Sequence, residues 1–224
     1  MDVQLIPTSC PERGLVTVRR AQKRAFDLLI SSFALLAFSP LFLLIAVCIR
    51  LHSPGPILFR QARVGKDGKI FTCFKFRTMY WGADQNVHRL AFRRMASGYP
   101  MSDDVNTPFK LSNDKRITRV GALLRFTSVD ELPQLFNVLL GDMSLVGPRP
   151  AIPYELEYYK QWHHERHRVK PGITGLWQVY GRGATNFDEM VALDIKYVTS
   201  WTIGLDMKLI ILTVPAILSR RGAR

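Results

Sequence analysis

The sequence predicts an α+β fold that is mainly helical, with a re-entrant membrane helix near its N-terminus, one small β-hairpin and amphipathic interfacial helices. Three observations support this prediction. Residues 25–49 are almost continuously apolar, residues 57–79 carry a strand–turn–strand pattern, and most of the remaining segments have helical periodicity. These features divide the chain into a basic tail over residues 1–22, a membrane helix over residues 23–52 and a third domain over residues 53–224.

Composition and charge narrow the class of protein. The 224 residues are 47% hydrophobic and 22% charged, which excludes a disordered chain. The chain has 31 Lys and Arg against 18 Asp and Glu, a net charge of +13. This charge favours an anionic partner, such as nucleic acid, an anionic membrane face or phosphorylated substrates. The three cysteines fit no zinc-site spacing, and their odd number excludes a disulfide framework.

The apolar segment is long enough to cross a hydrocarbon core of ~30 Å at ~1.5 Å per residue, and Asp27 is its only formal charge. Pro40, near its middle, lacks a backbone donor and breaks a helix, while the Ser39 hydroxyl can satisfy the freed carbonyl. Basic residues flank the segment on both sides: Arg19, Arg20, Lys23, Arg24, Arg50 and Arg60. Since Lys and Arg favour the cytoplasmic side, a re-entrant hairpin is favoured, and a kinked transmembrane helix is the alternative.

The hairpin and the other helices follow in order. A strand is predicted over residues 57–64, an Asp-Gly turn over residues 66–69 and a return strand over residues 70–79. Helices are predicted over residues 81–96, 117–124, 128–140, 153–169 and 187–201. Residues 203–218 are predicted to form an interfacial or packed helix, because charged residues and a proline interrupt their apolar pattern.

Asp130 and Glu131 lie at the predicted start of the 128–140 helix. Ser128 and Glu131 match a capping box, and acids in a first helical turn usually serve the helix dipole alone. The same position, with Arg125 nearby, would keep Asp130 ionised, and an ionised carboxylate can attack phosphorus. Glu131 could hold a divalent cation through oxygen. The local sequence leaves the capping and the catalytic interpretations open.

Two further motifs present cations in settings that suit anion binding. Arg149 lies between Pro148 and Pro150, so its backbone has little freedom and its guanidinium suits a phosphate or a base. Lys75 and Arg77, two residues apart, would share one face of the return strand. The alternatives are a surface arginine in a turn and a solvated strand face.

Two other segments are less specific. Arg182 is flanked by Gly181 and Gly183, which would let the backbone approach a phosphate closely. His163 and His167 have the i, i+4 spacing of a metal site, but the His-Glu-x-x-His pattern is missing. Surface histidines on a basic helix are the favoured interpretation.

In this order, the motifs resemble those of the monotopic phosphoglycosyl transferases, also called bacterial sugar transferases. The resemblance covers nearly everything from residue 23 to residue 218. The matching motifs are Ser39-Pro40 and residues 75–79, 127–137, 141–150, 171–178 and 181–182. The chain has Gly-Arg-Gly where the family has Gly-Arg-Asn, which puts a role for the asparagine in doubt. Without the extra N-terminal spans of larger members, it resembles the small form of the family.

The resemblance implies a reaction at the cytoplasmic face of the bacterial inner membrane, beside a re-entrant helix broken at Ser39-Pro40. The donor would be a UDP-sugar, the acceptor undecaprenyl phosphate and the cofactor Mg²⁺. Asp130 would attack the donor's β-phosphate, expel UMP and carry the phospho-sugar until the lipid phosphate takes it, in a ping-pong reaction. The product, undecaprenyl-diphospho-sugar, would begin exopolysaccharide, O-antigen, capsule or glycoprotein glycan assembly.

The resemblance also assigns roles residue by residue. Glu131, with Asp130, would bind the metal, and Arg125 would position the two carboxylates. Arg149 with Pro148 fits the uridine site. The remaining substrate contacts would come from Lys75, Arg77, Gln178 and Arg182.

Two other classes of protein are compatible with parts of the sequence. A metal-dependent membrane phosphohydrolase would use the same carboxylates and pass the phosphoryl group to water. A basic, membrane-tethered nucleic-acid binder would explain the charge, but helix-turn-helix, RRM and zinc signatures are absent from the sequence. Nucleic acid is therefore not an expected partner, and a homodimer is compatible with these features.

Overall fold

The computed structural model describes residues 11–84, 86–97, 114–181 and 186–218. Over these residues the chain is mainly helical, as predicted, with an antiparallel hairpin and a second, parallel pair of strands. The helices are α1 (Pro11–Ala37), α2 (Ser39–His52), α3 (Asn86–Ala96), α4 (Arg119–Thr127), α5 (Gln134–Leu140), α6 (Leu176–Tyr180), α7 (Phe187–Ser200) and α8 (Ile203–Leu218). The strands are β1 (Leu58–Val64), β2 (Ile70–Phe76), β3 (Ser144–Val146) and β4 (Gly172–Thr174).

The apolar segment breaks where the sequence predicts. Its two helices meet at Phe38 with a bend of 60°. Pro40 has no N–H to donate to the carbonyl of Leu36, four residues earlier, so the helical ladder is interrupted there. The Ser39 hydroxyl donates to this same carbonyl at 2.8 Å, which confirms its predicted compensating role.

Among the described residues, no single helix is both long and apolar enough to cross a membrane. Residues 20–37 and α2 together meet the criteria of length and composition, either as a broken span or as a re-entrant loop. The outer face of this bent pair is apolar and exposed, and its most exposed side chains are Leu29, Phe33, Leu36, Leu43, Leu44 and Leu51.

The hairpin forms at its predicted turn. Strands β1 and β2 pair antiparallel from Leu58↔Phe76 to Val64↔Ile70. Asp67 and Gly68 both have positive φ, 55° and 76°, as Asp-Gly turns between strands require. The return strand ends at Phe76, earlier than predicted, because the chain then finds another partner: Met79 bridges to Ile117, just before α4.

The main core lies between β2, α5, β3 and the C-terminal helices. Its buried side chains are Cys73, Leu135, Val138, Met143, Leu145, Val146, Leu176, Tyr197 and Leu209. Asn137 fixes α5 to the hairpin, because its side chain accepts the N–H of Phe74 at 2.9 Å and donates to the carbonyl of Thr72 at 2.7 Å. The turn that precedes α5, which carries Asp130 and Glu131, is therefore fixed relative to β2.

A buried polar network joins α1 to the core. The Asp27 carboxylate accepts the Ser144 hydroxyl and the Leu145 N–H, both at 3.1 Å. The Lys23 ammonium donates to Asp206 of α8 at 2.6 Å. Because Asp27 is 3% and Asp206 1% exposed, these contacts lie inside the protein and attach the apolar helix to β3 and α8.

The long charged helix predicted over residues 153–169 is wrong. The chain forms two 3₁₀ segments instead, Pro153–Tyr158 and Gln161–Arg168, separated by extended backbone at Tyr159 and Lys160. The break lets side chains from both segments enter the core: Glu155, His163 and Arg166 are each at most 1% exposed.

The surface position predicted for the histidines is wrong for His163, which is fully buried. Its Nδ1 accepts the N–H of Lys160 at 3.1 Å, and its Nε2 lies 3.1 Å from Asp188 Oδ1. His164, next to it, is exposed as predicted. The buried ring is held by the hydrogen bond from Lys160, by its contact with Asp188 and by Phe187, whose ring centroid lies 5.2 Å away.

We expect Asp206→Ala to lower the free energy of unfolding by about 2–4 kcal/mol, because it removes the nearer of the two buried carboxylates paired with Lys23 and leaves Asp27, 4.0 Å away, as its counter-charge. Trp201 Nε1 would also lose its acceptor, now 3.0 Å away. Urea titration of the detergent-solubilised protein measures the change. Glu165→Ala is the matched control, since this exposed acid forms a surface ion pair with Arg168, three residues away. It should change stability by less than about 0.5 kcal/mol, and equal losses in both variants would contradict the role of the network.

Candidate active site

The segment that carries Asp130 and Glu131 is a tight turn between two helices. Helix α4 ends at Thr127, and Ser128 follows in the left-handed conformation, with φ 56°. The chain then makes one 3₁₀ turn, Val129–Glu131, before α5 begins at Gln134.

The single helix predicted over residues 128–140 and its capping box are therefore wrong. Ser128 makes no side-chain capping bond at this turn. An α-helix would need the N–H of Pro133 to donate to the carbonyl of Val129, and proline has none. Instead, the N–H of Leu132 donates to this carbonyl at 3.2 Å, which gives the tighter 3₁₀ turn.

Lys75 brings β2 into the site. The Asp130 side chain is buried in the turn, with the residue 9% exposed, whereas the Glu131 side chain is 35% exposed. The Lys75 ammonium donates to Glu131 Oε1 at 2.6 Å. One carboxylate is thus largely withdrawn from water, and its neighbour is held by a cation.

The two neighbouring carboxyl groups have different protonation behaviour. Burial, followed by repulsion from Glu131, raises the pKa of Asp130 to about 6, although Lys75 and Arg125 act in the opposite direction. Burial also acts to raise the pKa of Glu131, but Lys75 outweighs it with help from Arg149, and this pKa lies below its usual range. The α-helix N-terminus that was expected to act on Asp130 is replaced by a 3₁₀ turn. With a pKa of about 6, Asp130 is still mostly ionised at neutral pH, although less readily than an ordinary aspartate.

Arg125 is held against the chain that follows β2. Its Nε donates to the Thr78 hydroxyl at 2.8 Å, and its charge acts on Asp130. Gly121 permits this packing, because a Cβ there would lie 1.9 Å from the Thr78 carbonyl oxygen. Thr78 belongs to the predicted 75–79 motif, but its contact with Arg125 could not be inferred from a strand pattern.

The turn that carries Arg149 is fixed through its backbone. The Arg149 carbonyl accepts Arg166 Nη2 at 2.8 Å, and the Pro150 carbonyl accepts Arg63 Nη1 at 2.7 Å. Arg166 in turn pairs with Asp194, and both side chains are 1% exposed. No motif in the sequence marks Arg63, Arg166 or Asp194 as part of the site, because their burial depends on contacts between distant segments.

The remaining predicted site residues lie in different surroundings. Arg77 is buried and donates to the Ser53 carbonyl at 2.8 Å, so it supports the turn between α2 and β1 and does not share the neighbours of Lys75. Gln178 Nε2 donates to the Ile173 carbonyl of β4 at 2.8 Å. Arg182 lies outside the described residues.

Asp130 and Glu131 are the side chains of this site that suit a divalent cation. Across the described ranges, no three Asp, Glu, His or Cys side chains form a complete metal site. Mg²⁺ does not need such a set, because it is usually held by one or two carboxylates together with water and substrate phosphates. Glu131 uses Oε1 for Lys75 and is partly exposed, so Oε2 suits a cation. The residues present therefore fit Mg²⁺ bound jointly with a phosphorylated substrate.

Comparison with known proteins defines the class. The profile of the bacterial sugar transferase family matches residues 18–220. The chain belongs to this family, which confirms the resemblance, and it is an enzyme of the phosphoglycosyl transferase type.

Individual relatives agree with this assignment. The chain is 42% identical over 201 residues to the exopolysaccharide production protein ExoY of Rhizobium meliloti, covering 90% of this chain and 87% of the relative. It is 42% identical over 204 residues to the undecaprenyl-phosphate galactose phosphotransferase of Salmonella typhimurium, covering 91% and 42%. It is 40% identical over 205 residues to the UDP-glucose:undecaprenyl-phosphate glucose-1-phosphate transferase of Escherichia coli, covering 88% and 40%. The chain thus spans less than half the length of the last two relatives.

The left-handed Ser128 leads to a prediction about the turn. A non-glycine residue in this conformation costs about 1–2 kcal/mol, and a β-branched residue is less tolerant still. We expect Ser128→Gly to retain stability and transferase activity, and Ser128→Val to lose about 1–2 kcal/mol of unfolding free energy and most activity, because the turn holding Asp130 would shift. Thermal unfolding and initial rates test this.

The control is Ser200, at the exposed end of α7, where the backbone is helical. Glycine should be no better than valine at that position. If the two Ser128 variants had the same stability and the same rate, the left-handed turn would not be the element that holds the carboxylates.

Proposed function

We propose that this enzyme transfers a phospho-sugar from a UDP-sugar to undecaprenyl phosphate, releasing UMP, through a covalent intermediate on Asp130. The observation that carries the proposal is the pairing of a buried carboxylate, Asp130, with a cation-held neighbour, Glu131, in one short turn. The relatives support the substrates: one is named an undecaprenyl-phosphate galactose phosphotransferase, and another a UDP-glucose:undecaprenyl-phosphate glucose-1-phosphate transferase.

The proposed reaction has two steps. In the first, a carboxylate oxygen of Asp130 bonds to the β-phosphorus of the donor, and the bond from this phosphorus to the bridging oxygen breaks as UMP leaves. In the second, a phosphate oxygen of the lipid bonds to the same phosphorus and displaces the Asp130 carboxylate. The product is undecaprenyl-diphospho-sugar, and the free enzyme is restored.

The charges of the site fit these steps. A pKa of about 6 leaves Asp130 mostly ionised at neutral pH, yet more basic than an ordinary aspartate and hence a better nucleophile. Mg²⁺ held by Asp130 and Glu131 would neutralise the diphosphate when bound. Arg125 and Lys75 place positive charge beside the carboxylates, and Arg149, with Pro148, is assigned to the uridine end of the donor.

The apolar surface supports a place at the membrane. Besides the exposed face of α1 and α2, the nearby helices expose Leu123, Phe126, Phe136, Leu140, Met207 and Ile211. Because α4 packs on α2 and α5 packs on α1, their exposed apolar side chains add to the apolar face of the bent pair, and large exposed apolar patches mark a binding or membrane surface. We infer that the bent pair is re-entrant in the cytoplasmic leaflet of the bacterial inner membrane, with these helices at the interface. The product would then begin exopolysaccharide, O-antigen, capsule or glycoprotein glycan assembly.

Asp130→Asn should abolish turnover, since an amide cannot form the acyl-phosphate bond while it keeps the size of the side chain. UMP release from a panel of UDP-sugars, with and without undecaprenyl phosphate, measures this loss. Double-reciprocal plots of the wild-type initial rates at several fixed concentrations of the second substrate should give parallel lines, as ping-pong kinetics require. Mass spectrometry should detect a phospho-sugar adduct on the peptide that contains Asp130.

Glu165→Gln, at an exposed position on another segment, is the control for general effects of losing an acid. UMP release by Asp130→Asn near the wild-type rate, or intersecting lines that require a ternary complex, would overturn the nucleophile. UMP formation with sugar phosphate released to water, and no dependence on lipid, would instead favour the phosphohydrolase.

The topology has its own test. If the bent pair enters and leaves on one side, tags fused before residue 1 and after residue 224 should both be accessible from the cytoplasm and protected from outside the cell. Protease digestion of spheroplasts and of inverted membrane vesicles distinguishes the two faces. One tag exposed on each side would show that the bent pair crosses the membrane.

A further inference from the structure

Glu155 is a buried carboxylate for which the proposed reaction has not yet provided a role. It lies in the 3₁₀ segment Pro153–Tyr158, a few residues after the Arg149 turn, and is 1% exposed. Both of its carboxylate oxygens are buried, and neither accepts a hydrogen bond from the described part of the chain. Such a carboxylate is costly to keep in a protein unless a cation compensates its charge.

The compensating cation in contact with Glu155 is Arg149. Its Nη1 lies 3.7 Å from Glu155 Oε1, which makes an ion pair without the geometry of a hydrogen bond. The charge of Arg149 also acts on Glu131, so the guanidinium is within electrostatic reach of the carboxylates in the catalytic turn. Arg149 therefore lies where the charges of Glu155 and of the catalytic turn both act on it.

Two other guanidiniums act on Glu155 electrostatically, but they are committed elsewhere. Arg63 is 5% and Arg166 1% exposed, and they donate to the Pro150 and Arg149 carbonyls. The Arg149 side chain, by contrast, is 31% exposed. Of these three cations, Arg149 is the one that a ligand can reach.

These contacts divide the control of Arg149 into two parts. Its backbone is fixed by the neighbouring prolines and by the buried arginines, which leaves the side-chain torsions as the main remaining freedom. A carboxylate placed on one side of the guanidinium restricts these torsions. Functional side chains depend on such supporting contacts to keep their productive geometry.

We propose that Glu155 is a positioning residue for donor binding: its carboxylate orients the Arg149 guanidinium toward the nucleoside diphosphate of the sugar donor. This inference rests on the proposed function. It adds that Glu155 acts in the first half-reaction alone, because the nucleotide leaves as UMP before the lipid phosphate reacts. A purely structural Glu155 would affect both half-reactions alike.

Glu155→Gln keeps the size of the side chain and removes its charge. We expect a rise of roughly tenfold in KM for the donor, with kcat and KM for undecaprenyl phosphate changed by less than about twofold. Steady-state UMP release by the full chain measures both constants, with UDP-glucose or UDP-galactose, whichever the wild-type enzyme uses. Glu157→Gln is the matched control, because Glu157 is exposed on the same 3₁₀ segment and pairs with Arg89.

A double-mutant cycle tests whether Glu155 acts through Arg149. In an Arg149→Ala background, Glu155→Gln should raise the donor KM by less than about twofold further, since the residue it positions is gone. Independent, multiplying effects of the two changes would overturn the proposal. The proposal would also be overturned if Glu155→Gln had the donor KM of the wild type. The same holds if it raised the KM values for the donor and for undecaprenyl phosphate equally.

If Glu155→Gln does not fold, Glu155→Asp serves instead, because it keeps the charge and withdraws it from Arg149 by one methylene. An unchanged donor KM in a folded Glu155→Asp would then overturn the proposal, and a raised one would support it. Failure of the proposed function itself looks different: wild-type enzyme would release no UMP, or Asp130→Asn would release it normally.

Discussion

The ion pair between Lys23 and Asp206, with the adjoining Asp27 contacts, is the interaction on which the rest of the arrangement depends. Apart from Arg24, which donates to the Val138 and Leu139 carbonyls of α5, the bent helices pack largely through apolar side chains, and apolar contacts alone fix orientation weakly. This network ties α1 to α8 and to β3. Since β3 leads directly into the turn that carries Arg149, the same contacts fix the position of the apolar face relative to one side of the candidate active site. Asp27, the one charged residue within the apolar segment, is thus the residue that attaches this segment to β3.

A second constraint is the balance of buried charge around the site. Three carboxylates, Asp130, Glu155 and Asp194, are nearly or fully withdrawn from water, and each lies among guanidinium groups or beside Lys75. Pairing buried charges seldom adds net stability, but leaving one unpaired is costly. The arrangement is therefore better understood as fixing positions than as stabilising the fold. It resists movement of the turns that carry Asp130 and Arg149, which is what the proposed two-step reaction would require.

The sequence predicts those features that depend on neighbouring residues. The break in the apolar segment follows from Pro40 alone, because proline lacks a backbone donor. The hairpin turn likewise follows from Asp67-Gly68, because these residues accept positive φ. The composition of the 75–79 motif marks a strand with cations, but it does not reveal that Lys75 contacts Glu131 whereas Arg77 supports the Ser53 turn. Glu155, His163 and Arg166 gave a charged pattern typical of an exposed helix. Their burial depends on partners far along the chain, such as Asp194 and Asp188, and periodicity carries no information about such contacts.

Of the differences between the predicted and the observed structure, the missing capping box at Ser128 has the largest consequence for the chemistry. A capping box would place Asp130 at a helix N-terminus, where the dipole stabilises the carboxylate and lowers its pKa. A carboxylate stabilised in this way is a weaker nucleophile. In the 3₁₀ turn that contains Asp130, burial and repulsion from Glu131 outweigh the nearby cations and the backbone hydrogen bond that favour the carboxylate, and they raise its pKa to about 6. The carboxylate then remains mostly ionised at neutral pH with greater basicity. The turn thus meets the requirements of the proposed covalent step better than the predicted helix would, because nucleophilicity at phosphorus rises with basicity as long as the group is deprotonated.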